Sequence, residues 1–287
     1  MPKKISKISH ISSQSPNKRR PVFPPQNVHF VVGRKPVREM IRYNAGRILE
    51  LYLTQEAFEW MRMQKDGNSA EGRIDIEQFS KRILAKDEIS AMVMVVGSGG
   101  VNHQGCLALT KPRNALGTTE LMEALSKLNQ SSIFFVLAGI TDVHNFGAIL
   151  RVAHCFGAQG IVIPKNRSVG LSPAVSRVSA GASEFIPVYA VPNLSQAIIK
   201  AQDEFNISSV ALTCSAEAVP IDTVSVLPSK MFLVLGSEAE GIPQLLQSRC
   251  RLQFTIPMAG KIDSINVAQA AAVFTWHWSL ASREKLK

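Results

Sequence analysis

From Ile133 onward the chain alternates short, almost wholly apolar runs with segments of helical period. No other feature limits its fold so strongly. The apolar runs are IFFVLAGI (133–140), IVIP (161–164), IPVYAV (186–191), SVALTC (209–214), MFLVLG (231–236) and LQFTIPM (252–258). Between them fall FGAILRVAHCFG (146–157), PAVSRVSAGA (173–182), LSQAIIKAQDEF (194–205), PQLLQSRC (243–250) and a final helical segment over 264–281. Strands without polar alternation are covered on both faces. The pattern therefore predicts an α/β domain, a parallel sheet with helices on either side. Ahead of it, VHFVV (28–32), PVREMIRY (36–43), ILELYLT (48–54), IEQFSKRIL (76–84) and CLALT (106–110) predict strand, helix, strand, helix and strand. That is a second, smaller α/β layer unit. The expected division is 1–27 as a disordered tail, 28–110 as the first folded unit, 111–130 as a linker with one short helix, and 131–287 as the second domain.

The net charge of +10 is unevenly placed. Residues 1–38 hold nine Lys/Arg and no Asp/Glu, so the excess sits at the front. Such a stretch reads as a solubilising tail, a mobile arm that grips phosphates, or a leader. The four cysteines stand apart at 106, 155, 214 and 250, with no CxxC. That spacing is neither a disulfide framework nor a metal site, and it fits a reducing, cytoplasmic compartment. No apolar run approaches the ~18 residues of a membrane helix, so no membrane partner is expected.

In open parallel sheets ligands bind beyond the carboxyl ends of the strands, and three loops there stand out. The first leads into 141–160. On a helical wheel Phe146, Ile149, Leu150, Ala153 and Gly157 share the sheet-facing side, while Gly147, Arg151 and His154 fall away from it. Arg151 is expected to point outward over ligand space left by Gly147, or else to be a solvated charge. Asn145 sits at the helix start and could be a plain N-cap. His154 reads as packing or surface. The second loop, FLVLGSEAEGIP (232–243), has phosphate-loop spacing, but Ile242-Pro243 stand where Lys-Ser/Thr is required. Glu238 and Glu240 would repel a triphosphate and tolerate a cationic or hydroxyl-rich ligand, or simply be solvated. The third, FTIPMAGKIDSINVAQAAA (254–272), has Ser264 opening a helix, as N-cap or site residue, and Asn266 on its first turn.

In order and spacing, the series N-x-G-x-x-x-R-x-A-x-x-F-G, L-G-x-E-x-x-G-I and I-P-M-x-G-x-x-x-S-I-N-V-A resembles the SpoU (TrmH) family of RNA ribose 2′-O-methyltransferases. The resemblance covers about 131–281, and VVGRKPVREMI (31–41) and NHQGCLAL (102–109) are similar to the substrate-binding module of members that methylate a guanosine ribose in large-subunit rRNA. Asp142-Val143-His144-Asn145 departs from the usual D-P-x-N, and Ile265 replaces the usual Leu. The resemblance implies a SPOUT-class domain whose C-terminal segment makes a deep trefoil knot, next to an RNA-binding first domain. It implies an S-adenosylmethionine pocket built mostly from backbone groups at Gly236, Ile256, Ile265, Thr213 and Met258. It further implies that Arg151 activates the ribose hydroxyl or stabilises the developing alkoxide, and that Asn145 orients the ribose or Arg151. Glu238 and Asn266 would position the nucleotide and loops, and Ser264 would hold the loop or ligand. No metal is implied. A tRNA substrate is the first alternative. A binding module without catalysis leaves the three motifs unexplained, and an unrelated nucleotide enzyme would lack a phosphate loop. The last helix is apolar nearly all round, through Ile265, Val267, Ala268, Ala271, Ala272, Phe274, Trp276 and Trp278. It therefore predicts a homodimer, and the resemblance puts Asn145 and Arg151 near that interface.

Overall fold

The computed structural model describes residues 29–64, 74–95, 102–261 and 264–284, the last four of these by backbone alone. The basic tail, 1–27, lies outside the described residues. In the first unit β1 (His29–Val32), α1 (Arg34–Asn44), β2 (Ile48–Leu53), α2 (Gln55–Arg62), β3 (Lys81–Ile83), α3 (Lys86–Val95) and β4 (Cys106–Thr110) form a four-stranded sheet. Its order is β1-β4-β2-β3. β4 runs antiparallel to both neighbours, and β3 parallel to β2. Val37, Met40 and Ile41 of α1 pack with Ala57 and Met61 of α2 on one face, and Ile89 and Val93 of α3 cover the other. Thr54 caps α2, its side chain accepting from the Ala57 amide.

The helix expected over 76–84 is not there. Residues 77–79 turn and 81–83 pair with Leu51–Leu53. The apolar residues have helical spacing but serve opposite faces: Ile76 and Phe79 join the α1/α2 side, and Leu84 the α3 side. One helix face cannot reach both. The helix lies instead at Lys86–Val95, started by Asp87 and Glu88 in its first turn.

The second unit begins inside the stretch read as a linker. Leu116 bridges to Tyr189, and Leu121 and Leu125 of α4 (Thr118–Ser126) are buried against the large sheet. Then follow β5 (Ser132–Ala138), α5 (Val143–Cys155), β6 (Gly160–Pro164), α6 (Pro173–Val178), β7 (Val188–Val191), α7 (Leu194–Phe205) and β8 (Ser208–Leu212). β9 (Val219–Pro220), β10 (Lys230–Gly236), α8 (Gln244–Gln247), β11 (Leu252–Thr255) and α9 (Val267–Glu284) complete it. The sheet order is β7-β6-β5-β10-β8-β11-β9, every pairing parallel. Alternation along β5 shows why its run is continuously apolar. Ile133, Phe135 and Leu137 face α5, α6 and α9, while Phe134, Val136 and Ala138 face α4, α7 and α8. Each such buried side chain contributes about 1.5–3 kcal/mol.

The two units meet at the segment joining α6 to β7. Asn44 donates to the Glu184 carbonyl at 2.9 Å, and Arg47 pairs with its carboxylate at 3.1 Å. Arg113 donates to the carbonyls of Ser183 and Ile186. Glu184 itself is buried. No described helix is long and apolar enough to cross a membrane.

Candidate active site

The carboxyl ends of β8, β10 and β11 open on a cavity of about 450 Å³, within the range of small-ligand sites. Its walls are Leu212, Thr213 and Cys214 after β8, Leu235 to Glu238 with Gly241 and Ile242 after β10, and Ile256 and Met258 after β11. Ser264, Ile265, Val267 and Ala270 close it from the α9 side. The sequence-derived candidates Gly236, Ile256, Ile265, Thr213 and Met258 thus share one cavity, with Glu238 and Ser264.

Two local features shape it. A Cβ at Gly236 would come within 2.1 Å of the Gly241 backbone. Only glycine therefore lets the loop after β10 fold back, where Ser237 bridges to Gly241. That loop is pinned by the Gly241 amide donating to the Ser237 carbonyl at 2.9 Å. Among the described residues the lining carries one carboxylate, Glu238, three hydroxyl or thiol groups from Thr213, Ser237 and Cys214, the Ser264 hydroxyl, and no lysine or arginine.

Asn266 ties this rim to α5. Its side-chain amide donates to Glu238 at 2.6 Å and to Asn145 at 2.8 Å. Its own carbonyl oxygen accepts from the Ala268 amide at 2.9 Å, which makes Asn266 the cap of α9. Ser264 is consequently not the cap. The helix starts at Val267, and Ser264 faces the cavity. Asn145 is not a cap either. Asp142 caps α5, accepting from the Asn145 amide at 2.8 Å. This leaves the Asn145 side chain free for Asn266. The missed signal was Asp142 three residues before Asn145, the reach of a capping carboxylate.

Arg151 is exposed on α5, outside the cavity lining, and among the described residues it makes no ion pair. The expected ligand space beneath it is filled. Gly147 is buried, and a Cβ there would meet Val178 of α6 at 2.6 Å. That glycine serves close helix packing. His154 is exposed and stacks on Phe185, ring centroids 5.2 Å apart. Sequence reasoning missed Leu212, Cys214, Leu235, Ser237 and Val267 as lining residues. Their signal was position at strand ends and beside the motifs. Among the described residues no group of His, Cys, Asp or Glu could hold a metal.

A doubly covered parallel sheet with a carboxylate-rimmed pocket at three strand ends places the chain in the class of α/β proteins that bind a small ligand beyond the carboxyl ends of their strands. A model of the SpoU rRNA Methylase family matches residues 132–276. The 23S rRNA (guanosine-2′-O-)-methyltransferase RlmB of Pseudomonas putida is 30% identical over 85% of this chain and 92% of its own. The protein of that name from Nitrosomonas europaea is 31% identical over 85% and 88%. The structure of the SpoU methyltransferase AviRb from Streptomyces viridochromogenes, solved with the cofactor AdoMet, superposes with a TM-score of 0.65. It covers 91% of each chain at 19% identity and so shares the fold. The chain belongs to the SpoU rRNA methylase family.

Proposed function

We propose that this chain transfers a methyl group from S-adenosylmethionine to the ribose 2′-oxygen of a guanosine in large-subunit rRNA. The carrying observation is the cavity at the ends of β8, β10 and β11. Its lining, apolar and hydroxyl-bearing with a single carboxylate and no cationic side chain among the described residues, suits a donor that is itself cationic and carries no phosphate. Leu212, Leu235, Ile256 and Ile265 would hold the flat ring system, and Thr213, Gly236 and Met258 present backbone groups at strand ends. When bound, S-adenosylmethionine supplies an electrophilic methyl on a positively charged sulfur. The chain's own task is then alignment and removal of a poorly acidic proton.

Arg151 stabilises the developing alkoxide and a neighbouring phosphate. A guanidinium stays protonated, so charge stabilisation rather than literal base catalysis is the role assigned to it. Asn145 and Glu238, held on one amide by Asn266, position the nucleotide at the rim, and Ser264 steadies the loop above it. The same reading includes the trefoil knot, supported by one cavity that draws on the loops after β8, β10 and β11 and on the start of α9. It also includes a first domain that binds the RNA, a cytoplasmic setting and a homodimer. The dimer is supported by Val273, Trp276 and Leu280, three exposed apolar residues along α9. With Arg151 outside its own cavity lining, the dimer brings it to the partner's pocket.

The test is transfer from S-adenosylmethionine to unmodified large-subunit rRNA, followed by nucleoside analysis. 2′-O-methylguanosine is the expected product. Methyl on a base, or no transfer to any RNA, overturns the reading. Transfer to tRNA alone moves the substrate to tRNA.

A further inference from the structure

Between the two units runs a line of aromatic rings that the methyl-transfer machinery does not use. Tyr43, near the end of α1, is 49% exposed and meets Phe185 edge-on at 5.7 Å. Phe185, half-buried in the segment before β7, stacks on exposed His154 of α5 at 5.2 Å and 23°. The Arg42 guanidinium lies 5.0 Å over the Tyr43 ring while pairing with Glu39 at 3.3 Å. The line thus begins on the first domain and ends on the second.

Its end lies beside Arg151. His154 follows Arg151 by three residues, so the two project from the same side of α5. Asn145 lies nine residues before His154, about 13.5 Å along the helix axis and about half a turn round it, so the line meets α5 on the Arg151 side and not on the Asn145 side. Exposed aromatic rings cost free energy unless something covers them. Phe185 covers one face of His154 and meets Tyr43, whose ring also has the Arg42 guanidinium over it; the second face of His154 has no described ring or cation on it.

We infer that Tyr43, Phe185 and His154 form a stacking platform for unstacked RNA bases beside the target nucleotide. The platform spans the domain junction, and exposed Arg151 at its second-domain end faces a backbone phosphate. Every base has a π-face, and single-stranded RNA is held by aromatic stacking combined with flanking cations. Arg42, half-buried and paired with Glu39, holds the Tyr43 ring in place. The platform would fix which side of the target the strand leaves, so that the ribose arrives at Arg151 in register. This inference rests on the RNA substrate proposed above.

The experiment compares wild type with Tyr43→Ala and His154→Ala, and with Tyr43→Phe and His154→Phe as conservative partners. Each is measured for affinity to a single-stranded fragment of large-subunit rRNA, for KM and kcat in methyl transfer, and for S-adenosylmethionine affinity by calorimetry. Each alanine change should weaken RNA binding on the order of 10-fold, the scale for losing one stacked base. The loss should fall on KM for RNA more than on kcat, and both phenylalanine variants should restore it. The slope of affinity against salt should stay that of wild type, because stacking releases no counterions. Normal RNA affinity in both alanine variants, with wild type active, overturns the platform alone. So does a halved molecular mass with unchanged RNA affinity, which makes the ridge a subunit contact. Wild-type protein that binds no RNA overturns the platform and the substrate reading together.

Discussion

At the scale of single residues, the site separates side chains that hold geometry from the one proposed above to meet developing charge. Asn266 is of the first kind. With one amide on Glu238 and on Asn145, and its carbonyl on the Ala268 amide, it locks three segments distant in sequence. Gly236 is of the same kind by being absent as a side chain, since any Cβ would strike backbone at 2.1 Å. Arg151 is of the second kind. It is exposed, packs under nothing and lies away from the cavity wall. Arg151→Ala should therefore leave the melting temperature and S-adenosylmethionine affinity as they are while lowering turnover on the order of 10²-fold, the scale for losing one preorganised charge stabiliser. Arg151→Lys should recover only part, because a point charge cannot replace a bidentate fork. Near-normal turnover of the alanine variant would remove the role. The proposed role comes from the family resemblance of the motif, which says nothing of the space beneath Arg151. Gly147 was read as an opening, and only the position of Val178, thirty-one residues on, shows that a neighbouring helix fills it.

At the scale of elements, α9 carries two faces with different destinations. Val267, Ala268, Ala271, Phe274 and Trp278 belong to the core beneath α5, and the Trp278 indole donates to the Pro228 carbonyl at 3.1 Å. Val273, Trp276 and Leu280 recur at i, i+3 and i+7 on the outside, with the Trp276 ring against Phe156 at 6.4 Å. A stripe of that spacing is a helix-packing surface. Trp276→Glu should halve the mass seen by light scattering at micromolar concentration and abolish methyl transfer, with S-adenosylmethionine still bound. Mixing Arg151→Ala chains with Glu238→Ala chains should restore part of the activity if sites are composite. A wild-type mass of one chain refutes the dimer. The helix was legible from its apolarity, and six strands of the second unit from their short, almost wholly apolar runs, because in both cases local pattern and tertiary surroundings agree. Residues 76–84 show the opposite. Ile76, Phe79 and Leu84 have helical spacing yet answer to two faces of a sheet, and their partner strand, β2, is about thirty residues away. Nothing within nine residues distinguishes that from one amphipathic face. The start of α9 was misread for a similar reason. Ser264 and Asn266 are both good caps by type, and only the cavity, which engages Ser264, decides between them.

At the scale of the whole molecule, the proposed presentation of RNA by the first unit requires a fixed orientation to the second, and a buried carboxylate organises that junction. Glu184 accepts from Arg47 at 3.1 Å and faces His29 at 3.7 Å, with Asn44 on its carbonyl and Arg113 on the carbonyls either side. Burial alone would push its carboxyl up, but the hydrogen bond and charge of His29 and the charge of Arg47 outweigh burial and hold it down at about 2, against an ordinary 4.5. A carboxyl favoured as the anion in the folded chain adds stability above the unfolded glutamate range and loses it as pH falls. Here the loss runs between about pH 4.5 and 2. The shift corresponds to at most about 3 kcal/mol. Glu184→Gln keeps the shape and removes the charge, which leaves Arg47 facing a neutral amide at a buried site. The variant should melt several degrees below wild type at neutral pH. The gap should narrow steadily below pH 4.5 as the wild-type carboxylate itself takes up a proton. A gap of equal size at pH 3 and pH 7 would mean that the junction is held by packing of Tyr43 on Phe185 and of Pro36 on Gly181, and not by the charge. At neutral pH the same variant should raise KM for RNA with little change in S-adenosylmethionine affinity. The cavity lies wholly within the second unit, whereas in the proposed reading the RNA spans both.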